Sequence, residues 1–145
     1  MDLETLDDPQ PALVSALSEL LYEHNCRASG TRDYRTFAIV LRQTDGSLRA
    51  GAAGWTRWGW LHLDLLWVEE SLRGQGVGTE LLVATERLAR ERGCTMVTVD
   101  TASFQAPEFY RKRGFQEIFA LDIPRHGFRK FQFRKDLELP SQTST

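Results

Sequence analysis

The chain has 145 residues, 41% hydrophobic and 26% charged, enough to bury the core of one globular domain. Its 18 basic and 20 acidic residues leave a formal charge of −2, so nothing marks it as a general nucleic-acid binder. No run approaches the ~18 apolar residues of a membrane span, the start Met1-Asp2-Leu3-Glu4 lacks a basic n-region, and Cys26 and Cys94 are too scattered for a disulfide framework or zinc site. A cytoplasmic protein without membrane contact or metal is expected.

In chain order, Asp7 or Asp8 is placed to cap a helix with Pro9 or Pro11 in its first turn. Leu13, Leu17, Leu20 and Leu21 then form one apolar stripe that ends near His24. Cys26–Tyr34 is polar, contains Gly30 and reads as a loop, with room for a short second helix. Thr36–Arg42 reads as a strand, and Asp45-Gly46 supplies a positive-φ hairpin turn. The returning strand, Leu48–Thr56, carries Ala50-Gly51-Ala52-Ala53-Gly54, small side chains that let something bulky lie close. Arg57-Trp58-Gly59 then turns the chain into Trp60–Val68, completing an antiparallel meander.

After that apolar strand, Leu72–Thr79 reads Leu-Arg-Gly-Gln-Gly-Val-Gly-Thr and leads into the amphipathic stretch Glu80–Arg92. Strand, glycine-rich turn and helix in that order make a phosphate cradle: glycines let backbone N–H groups converge, and the helix N-terminus adds partial positive charge. No Lys follows the last glycine, which disfavours a P-loop, and Gly74, Gly76 and Gly78 miss the dinucleotide spacing. Leu81, Leu82, Leu88 and Ala89 face inward on the helix, Glu86 and Arg90 are spaced to pair outside, and Gly93 ends it. Thr95–Asp100 must run parallel to Trp60–Val68 because a helix crosses between them. A short helix from Pro107 to Gly114 follows, then strands Phe115–Leu121 and Phe128–Leu137 with Phe131, Phe133 and Leu137 on one face. Residues 1–138 form one expected domain, and 139–145 a polar, disordered tail.

Arg73-x-x-Gly76-x-Gly78 resembles the pyrophosphate-binding motif of the GNAT superfamily, the Gcn5-related N-acyltransferases that use acyl-CoA. Downstream, Ser103–Phe115 is similar to that superfamily's Asn-x-x-Ala-x-x-Leu-Tyr-x-x-x-Gly-Phe. Ala106, Tyr110, Gly114 and Phe115 match, while Phe109 replaces the usual aliphatic residue and Ser103 the Asn. The resemblance covers roughly Leu61 to Leu137 and is nearest to small single-domain bacterial members. It implies an α/β fold with a mixed sheet: the meander, then a central parallel strand pair splayed into a V-shaped slot, flanked by helices. Periodicity shows the parallel pair but not the splay. The resemblance also implies acetyl-CoA as co-substrate, with the pantetheine arm bonding to the backbone of Leu66 and Val68. The cradle of Arg73, Gly74, Gln75, Gly76, Val77, Gly78 and Thr79 would hold the diphosphate. Ser103 would either replace the family Asn on the pantetheine arm or cap the short helix. Arg111, Lys112 and Arg113 read as a solvated helix face, the alternative being that one of them reaches the 3′-phosphate.

The reaction so implied is acetyl transfer to a primary amine by direct attack in a ternary complex. A lysine-like acceptor has a pKa near 10.4, so at pH 7 freeing its lone pair costs about 4–5 kcal/mol. An oxyanion then needs a preorganised N–H, typically worth about 3–4 kcal/mol, and the departing thiolate benefits from a proton donor. A backbone N–H around Val68 fits the oxyanion, and Tyr110 matches the family's tyrosine acid. Asp64 and His62 share one strand face by alternation and are the candidate bases, with an ordered water as the alternative. The acceptor would be a small-molecule or peptide amine, in a pocket built from Cys26–Tyr34, Arg57–Trp60 and Asp122–Gly127. Asp64, Glu69 and Glu70 point to a cationic small molecule if they face the slot. Dimers are common in the family, which leaves a homodimer open. The competing readings are a non-catalytic acyl-CoA-binding sensor or interaction module and a mononucleotide-phosphate enzyme that uses the cradle differently.

Overall fold

A computed structural model describes residues 1–138; the expected tail at 139–145 lies outside the described residues. The chain divides into two compact units, the first ending at Asp33 and the second beginning at Tyr34. The first unit holds helix α1 (Pro11–Ser29), which starts at Pro11 without a side-chain cap. The expected Asp7 or Asp8 cap is not made. The helix also runs past His24, because Asn25 to Ser29 continue it until Gly30, at φ 76°, reverses the chain and returns its N–H to the Cys26 carbonyl. Arg32 closes the unit with a two-pronged ion pair to Glu23.

The second unit is a six-stranded sheet ordered β1-β2-β3-β4-β6-β5. Its strands are β1 (Arg35–Arg42), β2 (Leu48–Arg57), β3 (Trp60–Val68), β4 (Met96–Ala102), β5 (Gln116–Ile123) and β6 (Phe128–Asp136). Helix α2 (Val77–Glu91) crosses from β3 to β4, and short α3 (Pro107–Arg111) precedes β5. Only β3 and β4 run parallel; the other strand pairs are antiparallel.

Ala50, Ala52, Gly54 and Thr56 are the buried side of β2, and α2 packs across β2 and β3. The bulky neighbour that the small residues admit is therefore the helix. Leu81, Leu82, Thr85 and Ala89 bury against Leu61, Leu63, Val97, Val99 and Phe133. Glu86 departs from expectation: it is buried and pairs with Lys135 of β6 at 2.7 Å, while Arg90 reaches the Glu138 carbonyl. The helical spacing was right for a local pair, but β6 offers Glu86 a cation inside the fold.

The parallel pairing of β3 and β4 runs from Trp60↔Met96 to Leu63↔Val99 and stops there. Beyond it β3 is held only by β2 and β4 only by β6, so the two strands splay. A bulge sits at the point of divergence. Gly54 faces Leu63 and Ala53 faces Leu65, which leaves Asp64 without a partner. The extra residue shifts the alternation by one. Leu66 and Val68 then pack on the core, while Leu65 and Trp67 are exposed.

Candidate active site

The splay opens a cleft of about 750 Å³, walled by the second half of β3, the turn before α2, the end of β4 and α3. Of the expected site residues, Asp64, Leu66, Val68, Arg73, Gly74, Gly76, Val77, Gly78, Thr79 and Tyr110 line it. Gln75 does not; its side-chain amide donates to the Ser71 carbonyl and braces the turn from outside. Ser103 lies off the lining. Its hydroxyl accepts the Arg129 N–H at 3.1 Å, tying the end of β4 to β6, and α3 has no side-chain cap, so the helix-cap alternative is not realised.

Gly74 and Gly76 turn the chain at φ 77° and 84°, with nothing within 4 Å of where a Cβ would project. Conformation, not crowding, requires glycine there. The N–H of Glu80 is the first bonded back along α2, to the Gly76 carbonyl at 3.0 Å. The N–H groups of Val77, Gly78 and Thr79 therefore point out of the helix start toward the cleft, the arrangement that binds a diphosphate. Gly78 has a different reason: a Cβ would come within 3.3 Å of the Phe109 ring. That ring carries the Arg113 guanidinium over its face at 3.9 Å. Arg113 also donates to the Thr79 hydroxyl and to the Phe109 carbonyl, and lines the cleft. Arg111 instead pairs with Glu108 and Glu117, and of Arg111, Lys112 and Arg113 it is Arg113, just past α3, that lines the cleft.

The slot-facing edge of β3 follows from one bond. The Glu69 N–H reaches across to the Arg49 carbonyl of β2. Backbone groups of successive strand residues alternate sides, so those of Val68 and Leu66 face the splay. The Val68 carbonyl accepts the Arg73 Nε at 3.1 Å, leaving its N–H directed into the cleft.

Tyr110 is 6% exposed and packed between Phe109, Phe115 and Phe133. Burial pushes its phenol up to about 12, so it stays protonated at neutral pH. No described residue hydrogen-bonds its hydroxyl, and Tyr110 is part of the cleft lining.

Beside the slot, a recess of about 340 Å³ is lined by His62, Asp64, Asp100, Phe104, Ile123 and Phe128, among others. Asp64, Asp100, Thr101, Phe104 and Gln105 border both spaces, so the two meet at the carboxylates. His62 Nε2 lies 3.5 Å from Asp64 and 3.9 Å from Asp100. Of the three acids suggested as an anionic wall, only Asp64 lines the slot; Glu69 is paired with Arg49 at 2.6 Å, which holds its carboxylate below the usual range. Asp100 and Gln105 were not singled out from sequence. Asp100 closes the strand expected from sequence, Thr95–Asp100, and lies within β4, a position that could have marked it; Gln105 gave no signal.

The profile of the acetyltransferase (GNAT) family matches residues 3–115. A curated acetyltransferase of Agrobacterium fabrum is 38% identical over 106 residues, 73% of this chain and 77% of its own. Blasticidin-S acetyltransferase of Streptomyces morookaense is 44% identical over 92 residues; the match spans 63% of this chain and 64% of that protein's length. The crystal structure of a proposed acetyltransferase from Agrobacterium tumefaciens superposes with a TM-score of 0.88 at 32% identity, covering 94% of this chain and 100% of that one.

Proposed function

The chain belongs to the acetyltransferase (GNAT) family and is an acyl-CoA-dependent N-acyltransferase with acetyl-CoA as its co-substrate; from that premise we propose that it acetylates a primary amine by direct attack in a ternary complex. The observation that carries this reading is the junction of cleft and recess at Asp64 and Asp100, with Tyr110, whose hydroxyl no described residue hydrogen-bonds, in the cleft lining. Acetyl-CoA supplies the electrophilic thioester carbon. The cradle amides from Gly74 to Thr79 and the Arg113 guanidinium hold its phosphates, the Arg73 N–H being spent on the Glu70 carbonyl, and Leu66 and Val68 orient the arm through backbone groups. The Val68 N–H stabilises the developing oxyanion. Asp64 takes the proton that leaves the acceptor nitrogen, and Tyr110 holds a proton for the departing sulfur. Setting both substrates in one slot contributes up to roughly 7–11 kcal/mol.

The acceptor is a small cationic amine. Two carboxylates and the edge-packed rings of Phe104 and Phe128, 4.8 Å apart, wall the recess. The relative named for blasticidin S makes small antibiotic amines the first class to test. Free thiol release from acetyl-CoA, measured over antibiotic amines, polyamines, amino acids and peptide amines, is expected to show turnover with a small cationic amine. Asp64→Asn should lower kcat by ~10²-fold or more while leaving the KM for acetyl-CoA unchanged. Absence of turnover with every amine, with acetyl-CoA binding intact, would contradict catalysis.

A further inference from the structure

His62 and Asp64 both stand at the junction, and their surroundings decide which can receive a proton. Thr98 of β4 is 3% exposed, and its Oγ1 lies 2.7 Å from Trp60 Nε1 and 2.6 Å from His62 Nδ1. These are the hydrogen bonds its hydroxyl makes among the described residues. An indole N–H only donates, so Trp60 fills an acceptor position on Oγ1. A buried hydroxyl proton needs an acceptor, and His62 Nδ1 is the one within reach.

The far side of the ring gives the same answer. Nε2 faces carboxylate oxygens of Asp64 on β3 and Asp100 on β4, both of which only accept. Gln132 of β6 donates to the other Asp100 oxygen at 3.2 Å, and Arg129, which borders the recess, is paired with Asp122. Lys130 also borders the recess. The rings of Trp55 and Trp60 pack on the imidazole at 5.4 and 6.1 Å and fix its plane.

We infer that Thr98 is a positioning residue: relaying the Trp60 N–H, it donates to His62 Nδ1, locks the neutral imidazole as the Nε2–H tautomer, and so assigns proton uptake to the carboxylates. This deepens the proposed function and rests on it. With a proton already on Nε2, neutral His62 cannot take another at the atom that faces the recess. It presents an N–H to Asp64 instead. The proton leaving the acceptor nitrogen passes to an Asp64 oxygen, and the imidazole keeps its own.

The test is a long-range ¹H–¹⁵N correlation of the imidazoles in the full chain at a pH where His62 is neutral, with His62→Gln assigning its signals among the three histidines. Wild type should show His62 protonated at Nε2 and bare at Nδ1. Thr98→Val should give mixed tautomers and lower kcat about tenfold at constant acetyl-CoA KM, and Thr98→Ser should restore both readouts. A wild-type His62 protonated at Nδ1 would overturn the inference whether or not Thr98→Val folds. So would a folded Thr98→Val that keeps wild-type kcat. The tautomer is read without turnover, so absence of acetyl transfer would sink the functional reading and leave the Thr98 result legible.

Discussion

Tyr110→Phe is expected to lower kcat by ~10²–10⁴-fold with little change in the KM for acetyl-CoA. The substitution removes one oxygen and keeps the ring that Phe109, Phe115 and Phe133 enclose. The fold should survive, because no described residue depends on that hydroxyl for a hydrogen bond. What disappears is the proton held at the cleft wall for the departing sulfur. The same variant carries a stability signature. Burial raises the Tyr110 phenol from 10.0 to about 12, so the unfolded chain ionises first as pH rises. Below pH 10 the contribution is complete; between pH 10 and 12 it is lost, to the extent of about 2–3 kcal/mol. Denaturant titrations of wild type and Tyr110→Phe should therefore run close together below pH 10 and part over that window, wild type losing stability that the Phe variant keeps. A Phe variant with wild-type kcat would remove Tyr110 from the chemistry.

Gly54→Ala should be as damaging by another route. A Cβ at Gly54 would fall well inside van der Waals contact of the His62 carbonyl oxygen, and would also stand 3.1 Å from the Phe37 ring. The ring can shift, but the carbonyl belongs to β3 immediately before the Asp64 bulge, where the backbone has no slack. Relief requires β2 and β3 to separate where the slot begins. The expected cost is about 1–3 kcal/mol, a fall in Tm of roughly 5–10 °C, and loss of most activity because Asp64 moves with the bulge. Thermal denaturation and thiol release on one preparation check both; unchanged Tm and turnover would mean the bulge does not need that close approach.

These two positions differ in how far the sequence exposed them. The glycine turn at 74, 76 and 78 between a strand and a helix was legible as a turn, but such turns are common, and it took the second motif at Ser103–Phe115 to single it out. Tyr110 was legible through its match to a family motif. The crossover from β3 to β4 followed from an intervening helix, and the parallel pairing bears it out. The splay came from resemblance alone, and the bulge that accompanies it was hidden by composition. Leu65, Leu66, Trp67 and Val68 are all apolar, so no alternation survives to show the register shift, and His62 and Asp64 looked like ordinary neighbours on one face. Contacts across the sheet were equally unreadable: Glu86 with Lys135, Ser103 with Arg129, and Thr98 between Trp60 and His62 join residues 26 to 49 positions apart. Local spacing rules assign such side chains to the nearest partner on their own element. In α2 that assignment failed because the partner sits on β6.

The account stands on the backbone N–H groups around the start of α2, which it sets against the diphosphate of coenzyme A. Titration of the ¹⁵N-labelled chain with coenzyme A, followed through its backbone amides, measures this directly. The amide signals of Gly74 to Thr79 should move furthest and exchange with solvent more slowly, and acetyl-pantetheine, which lacks the diphosphate, should leave them nearly unmoved. Amides of that turn that stay put while others respond, or a chain that binds no coenzyme A at millimolar concentration, would contradict it.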